Sequence, residues 1–293
     1  MTSQVRYLRA ALMVTLFVAA PITTAAANES GTVEPAETSH PLNWTFRYAS
    51  SRADYIRKNI RDYSCRLIKR ERIDGELQKH HFIQVKVRCE QSRDGEVVRP
   101  LAVFMEYLAP SSVKGRQVLY VDGENNGNLL VRKGGHAFKY VKLRIDPNGT
   151  AARRESNYAI TDFGFDRIIG RLIETVTDDI KNDPTAANTE VSHFRGARVN
   201  DRLCTHIRVV HPKPGEGLTF HRASLYIDDE LHVPIRLTVH GWPEREGDDP
   251  PLIEEYTYVD LQLNVGFSDS EFSDARLNTS PGRNAPAPNS LAR

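Results

Sequence analysis

Along most of the chain, apolar and polar positions alternate with a period of two. In HFIQVKVRCE, Ile83, Val85, Val87 and Cys89 alternate with Gln84, Lys86, Arg88 and Glu90, the pattern of a strand with one buried face. Its partner is YSCRLIKRER, beginning at Tyr63. Asp74-Gly75 between them reads as a hairpin turn, because glycine accepts the positive φ that a two-residue turn demands. Further strands follow in PLAVFMEYLAP, where Leu101, Val103, Met105 and Tyr107 alternate, and in KGRQVLYVDG, NLLVRKGG and AFKYVKLRIDPNG. After Asn200 come DRLCTHIRVVHP, LTFHRASLYID, HVPIRLTVHGW and LIEEYTYVDLQL. Short strands separated by turn residues predict a mainly β (α+β) fold with an antiparallel sheet rather than βαβ units.

Two segments change to helical spacing. From about Asn43 to Arg61, Ala49, Ala53, Ile56 and Ile60 recur with Arg52, Arg57 and Lys58 between them. From about Phe163 to Ile180, the residues Phe165, Ile168, Ile169, Leu172, Ile173, Val176 and Ile180 form an apolar stripe. Thr161 or Asp162 suits its N-cap, and Pro184 lies beyond its end. The opposite face carries mixed rather than basic charge, so this helix is expected to lie on the sheet, not on a membrane. Asp228-Asp229-Glu230 falls between two strands and lacks the ligand spacing of a calcium loop, which predicts a turn.

The ends of the 293-residue chain differ from its middle. Arg6 and Arg9, the run AALMVTLFVAAPITTAA and Ala25-Ala26-Ala27 are the charged, hydrophobic and small-residue regions of a secretory signal. Pro21 interrupts a stretch already short for a hydrocarbon core of about 30 Å. Residues 1–27 therefore read as a signal peptide cleaved after Ala27, and the mature protein as periplasmic or secreted rather than integral to the membrane. Residues 28–42 and 276–293 are small, polar and proline-containing and read as a disordered linker and tail. Residues 43–275 read as one domain.

Removing Arg6 and Arg9 from the 39 basic residues leaves a near balance with the 38 acidic ones. There is thus no overall field to hold nucleic acid, and no such partner is expected. The basic run in KRERIDGELQKHHF, with Arg66, Lys69, Arg70 and Arg72 beside Glu71 and Glu76, reads as a solvated strand edge. His80 and His81 are adjacent, so in a strand they point to opposite faces and cannot share a metal. His206 and His211 likewise fall on opposite faces, and Glu254-Glu255 is not a carboxylate pair for acid–base work. No H-E-x-x-H, G-x-S-x-G or phosphate-binding glycine loop is present, so no metal, cofactor or catalytic residue is assigned.

Export permits a disulfide, and Cys65, Cys89 and Cys204 are the candidates. A two-residue turn at Asp74-Gly75 places Cys65 opposite Gln84, about 16 Å along the strand from the level of Cys89. A disulfide needs Cα atoms within about 7 Å. Cys65 is therefore expected to pair with Cys204 if any pair forms, while a longer loop would shift the register and restore Cys65 with Cys89.

The phrases DYSCRLIKRERIDGEL, VKGRQVLYVDGENNGNLLV, FHRASLYIDDELHVPIRLTVHGWP and EEYTYVDLQLNVGFSDSEF resemble a bacterial secreted family, domain of unknown function 1571, over about Tyr63 to Phe272. The order of elements is more distantly similar to the LolA/LolB-like lipoprotein carriers. That similarity implies an open curved antiparallel sheet, a half-barrel, with an N-terminal helix and a central helix covering its concave face. It also implies a partner: lipid, or the acyl chains of a lipoprotein, held by apolar area at about 0.8 kcal/mol per methylene. The candidate ligand face is Ile83, Val85 and Val87, with Leu101, Val103 and Met105, and Ile235, Leu237 and Val239. Each trio occupies every second position of its strand. A structural or protein-interaction module without ligand, and an envelope hydrolase, are the alternatives.

Overall fold

A computed structural model describes residues 40–134 and 141–278. The expected signal peptide, most of the linker, the part of the expected 276–293 tail beyond Asn278 and part of the AFKYVKLRIDPNG segment lie outside the described residues; Leu42, expected in the disordered linker, begins the first helix, and Arg276–Asn278, expected in the disordered tail, end a 3-10 turn, with Leu42 and Leu277 both fully buried. In chain order the elements are α1 (Leu42–Asn59), β1 (Asp62–Ile73), β2 (Glu76–Leu77), β3 (His81–Arg88), β4 (Gln91–Arg93), β5 (Glu96–Arg99), β6 (Ala102–Ala109), β7 (Gln117–Val121), β8 (Leu129–Arg132) and β9 (Lys142–Ile145). Then come α2 (Thr150–Arg153), α3 (Phe165–Asn182), β10 (Glu190–Val199), β11 (Arg202–Val210), β12 (Arg222–Asp228), β13 (Pro234–His240) and β14 (Leu252–Leu263).

Eleven of the strands form one antiparallel path, β10-β11-β12-β13-β14-β1-β3-β6-β7-β8-β9, with β2 on β1 and with β4 and β5 as a separate hairpin. The two ends of the path do not pair, so the sheet is open. Because β1 pairs both β3 and β14, the N- and C-terminal halves of the chain meet in the middle of the sheet. The strand β10 was not expected. It is an edge strand, exposed over most of its length, and an edge has little apolar alternation to reveal it.

The turn at Asp74-Gly75 forms as expected, with φ of 50° and 85°. It pairs Ile73 with Glu76 through β2, but the chain leaves the ladder between Leu77 and His81 and rejoins one residue out of step. Cys65 therefore faces Val85, not Gln84. Apolar alternation drives this: only that register puts Ile83, Val85 and Val87 on the same face as Tyr63, Cys65 and Leu67. All three cysteines are free and buried, so the expected Cys65–Cys204 disulfide does not form. Four strand spacings separate β1 from β11 along the sheet, about 19 Å, which no disulfide spans.

The two helices lie on one face. Leu42, Ala49, Ala53 and Ile56 of α1 and Phe165, Ile169 and Val176 of α3 are buried in the same cluster as Tyr63, Cys65 and Leu67 of β1, Ile83, Val85 and Val87 of β3, and Val103, Met105 and Tyr107 of β6, and α1 packs against α3. The N-cap of α3 is Gly164 at φ 140°, a conformation suited to glycine. The expected caps Thr161 and Asp162 instead form a short 3-10 turn at Ile160–Asp162. On the other face of β6–β8, Ala102, Phe104, Leu119, Val121 and Leu130 are covered by Phe272 and Leu277. The segment carrying these two is clamped by Lys86 to Glu271 at 2.5 Å and Arg88 to Asp269 at 2.6 Å.

Candidate functional site

All nine candidate residues fall in, or pack against, one apolar cluster beneath α1 and α3. Ile83, Val85, Val87, Leu101, Val103, Met105 and Ile235 are buried, and Leu237 and Val239 are half-buried against them. Register explains the continuity. Val87 opposes Val103, Val85 opposes Met105 and Leu237 opposes Tyr256, so inner-face side chains line up across the strands. A bulge at Asp260, with φ 54°, shifts the β1–β14 register. Its extra residue lets Tyr258, Leu261 and Leu263 all join the cluster. Near the start of α3, Tyr63 stacks on Phe165 at 4.3 Å, and Tyr258 meets Phe165 edge-on at 5.2 Å. The Tyr63 hydroxyl is buried there without a hydrogen-bond partner.

The inner face is not apolar throughout. Following β1 at every second residue, Tyr63, Cys65 and Leu67 give way to Lys69 and Glu71, which are 6% and 2% exposed. The reading of Lys69 and Glu71 as part of a solvated strand edge is therefore wrong. Arg66, Arg70 and Arg72, at the alternate positions, are more exposed, as expected of the other face. Across the ladder Glu71 opposes Glu254, which is 4% exposed, and Lys69 opposes Tyr256. The ammonium of Lys69 donates to Glu71 at 2.8 Å and to the Ser156 hydroxyl at 3.1 Å. Ser156 in turn donates to the other Glu71 oxygen at 3.1 Å, as does the Tyr256 hydroxyl. Glu254 accepts from the Tyr158 hydroxyl at 2.5 Å and from Asn157 Nδ2 at 3.1 Å, while Tyr256 lies 3.4 Å from its second oxygen.

Burial, partly opposed by the Tyr158 and Asn157 bonds and reinforced by the charge of Glu71, raises the Glu254 pKa. Burial alone would lower Lys69, but the charge and hydrogen bond of Glu71 hold its ammonium above the usual lysine range. His81, beside Lys69 on β3, is lowered by burial and then by the Lys69 charge. The cluster is covered by residues 155–158, just ahead of α3, with Arg171 of α3 stacked 3.8 Å over the Tyr158 ring. Glu254 and Glu255 do point to opposite faces: Glu255 meets His80 at 2.8 Å and Arg236 at 3.3 Å outside. The carboxylate that pairs spatially with Glu254 is Glu71, 183 positions away, which neighbour-by-neighbour reading cannot find. The available signal was the period-two continuation of β1.

A cavity of about 290 Å³ opens at the other end of the inner face, lined by Ile235, Tyr258, Leu261, Leu231 and Val199, with Asn200, Arg202 and Asp260 among its polar residues. Asp228 turns the chain, accepting the backbone N–H groups of Glu230 and Leu231 and pairing with Arg202. Among the described residues no group of three or more potential metal ligands occurs, and no helix is long and apolar enough to cross a membrane. His80 and His81 separate as expected, His80 to Glu255 and His81 edge-on to Tyr107.

The fold is similar to a DUF1329 family protein from Desulfovibrio piger at 13% identity, covering 82% of this chain and 100% of that one, with a TM-score of 0.40. It is similar to a LolA superfamily protein from Nitrosomonas europaea at 11% identity, 78% and 98% coverage and a TM-score of 0.34. It is also similar to lipoprotein LppX from Mycobacterium tuberculosis at 10% identity, 75% and 96% coverage and a TM-score of 0.35. No curated protein matches the chain. The profile described as "Protein of unknown function (DUF1571)" matches residues 60–280, and the chain belongs to that family.

Proposed function

We propose that this is an exported, non-enzymatic carrier whose single half-barrel domain, residues 43–275, holds an acyl chain of a lipid or lipoprotein on the inner face of the sheet. One observation carries the reading: the apolar inner face runs unbroken from the Lys69–Glu71 end to a cavity at Ile235 and Tyr258. Apolar pockets with a few polar groups at their margins are the usual form of small-molecule sites. An apolar chain needs no charged anchor along such a face, because each methylene moved out of water contributes about 0.8 kcal/mol.

Leu237→Glu tests it. Leu237 is half-buried beside Leu225 and Tyr256. If α3 moves to admit a chain, the new carboxylate reaches water, the protein stays folded, and uptake of a fluorescent fatty acid falls at least tenfold. If the face is a permanently closed core, the buried charge costs several kcal/mol and the variant unfolds. Absence of uptake by the wild type, with collapse of the variant, would reject the carrier reading. The alternative is an interaction module without ligand. It is favoured by the filling of the inner face by α1 and α3 side chains among the described residues. Export carries its own prediction: protein recovered from the envelope should begin at Asn28, and recovery of an intact Met1 or Thr2 terminus would contradict it.

A further inference from the structure

Resting on the carrier reading, we propose that Lys69, Glu71 and Glu254 form a head-group site for an amphiphile ending in a primary ammonium, and that Asn157 and Tyr158 occupy that site in the closed state. Glu71 and Glu254 are borne by paired strands of the sheet. The two close donors to Glu254, Tyr158 and Asn157, both come from the covering segment, and so does Ser156, which bonds Glu71. If that segment lifts, Glu254 keeps only the distant Tyr256 hydroxyl. An acceptor at the rim of an apolar tract then loses its two close donors, and an incoming donor competes with water for it.

The charge left on the sheet selects what replaces them. Lys69 bonds Glu71, so the second carboxylate, Glu254, has no cation of its own on the sheet. Arg171, whose charge favours the ionised form of Glu254, stands on α3 and would leave with the cover. Arg116 faces the same side from the loop entering β7, three strands from β1, and pairs with Glu155 of the covering segment at 2.7 Å; it stands on the Lys69 and His81 side of the cluster, its charge acting on His81, whereas the charges acting on Glu254 are those of Glu71 and Arg171. The local site therefore carries one net negative charge and presents carboxylate oxygens. A primary ammonium supplies three donors and the missing charge, whereas a carboxylate head would meet like charge. The placement also suits a head at the rim. Glu71 lies two residues from the end of β1 at the exposed Asp74-Gly75 turn, and inward from it Leu67, Tyr258 and Ile235 continue the apolar tract towards the cavity.

Calorimetric titration of the full mature chain with dodecylamine hydrochloride and with sodium dodecanoate, both below their aggregation concentrations at neutral pH, tests the assignment. Wild type is expected to bind dodecylammonium at least tenfold more tightly than dodecanoate. Glu254→Gln should bring the two within threefold. Tyr158→Phe, which removes a donor of the cover and leaves the sheet intact, should tighten dodecylammonium several-fold. A latch that does not compete with the head group would instead leave the dodecylammonium affinity of Tyr158→Phe at the wild-type value, which overturns the proposal even if Glu254→Gln fails to fold. Equal binding of the two probes by wild type, or a preference that survives in Glu254→Gln, overturns the head-group site while leaving the carrier reading in place. Binding of neither probe overturns the carrier reading and the head-group site with it.

Discussion

Replacing Glu71 with alanine is expected to lower stability by about 3–5 kcal/mol, the range for removing one partner of a buried ion pair, and to lower Tm by on the order of 10 °C. Three groups lose their acceptor at once. Lys69 Nζ, the Ser156 hydroxyl and the Tyr256 hydroxyl all point at the Glu71 carboxylate, and Lys69 is 6% exposed. Its ammonium would then sit in the interior with only the Ser156 hydroxyl at 3.1 Å and the Glu155 carbonyl at 3.5 Å. The double variant Lys69→Met, Glu71→Leu should recover most of the loss, because it removes both charges and Tyr256 can turn to Glu254, 3.4 Å away. Thermal unfolding of wild type, single and double variants at neutral pH decides the matter. A Glu71→Ala variant within about 1 kcal/mol of wild type would mean that Lys69 is effectively solvated.

This cluster shows where the sequence stops being legible. Alternation in HFIQVKVRCE and PLAVFMEYLAP placed two strands and six inner-face residues, because burial on one face of a sheet writes itself with a period of two. The same alternation holds along β1 from Tyr63 to Glu71. It changes from apolar to charged at Lys69, and an isolated charged run ordinarily means solvent. What buries Lys69 and Glu71 is Glu155, Ser156 and their neighbours, 84 or more positions away, and no local pattern encodes that contact. The register error has a related origin. Counting outward from Asp74-Gly75 treats the ladder as uninterrupted, whereas the segment Gln78–His80 interrupts it. The apolar pattern of β3, had it been set against that of β1, would have demanded Cys65 opposite Val85. The edge strand β10 lacked that pattern altogether.

Stability is also expected to fall as pH rises above about 6.5, through a second buried pair at the other end of α3. His211 is fully buried, with Nδ1 facing the Asn188 carbonyl at 3.0 Å and Nε2 facing Asp179 of α3 at 3.2 Å. Both ring nitrogens thus face acceptors, which favours the imidazolium. Burial opposes that charge. The Asp179 hydrogen bond, the Asn188 carbonyl and the charges of Asp179 and Asp183 outweigh it, so the pKa is raised from its ordinary 6.5. The neighbouring His221 meets the backbone of His211: its Nδ1 lies 2.9 Å from the His211 carbonyl, and the His211 N–H donates to the His221 carbonyl at 2.7 Å. A histidine raised in the folded state contributes stability that is complete below its unfolded pKa and lost as pH rises through the folded one. His81, His193, His206 and His240 are all lowered by burial. Their effect runs the other way and lies below about 6.5, while the thiols of Cys65, Cys89 and Cys204, all raised by burial, add a decline of the same sign only from about pH 8 upward, so the window between about 6.5 and 8 isolates His211. Between its two pKa values the loss is about 1.4 kcal/mol per pH unit. Asp179→Asn keeps the shape of the contact and removes its charge, so it should flatten the decline while lowering stability at pH 6. Denaturant unfolding of both proteins from pH 5.5 to about 8 measures this, and an identical slope in the two would show that the pair does not anchor α3 through its charge. Because Asp179 is on the last turns of α3 and Tyr158 and Asn157 precede its start, the helix is fastened to the sheet at both ends by buried polar bonds, with the apolar stripe between them. Loosening either end by titration or substitution therefore acts on the element that covers the candidate ligand face.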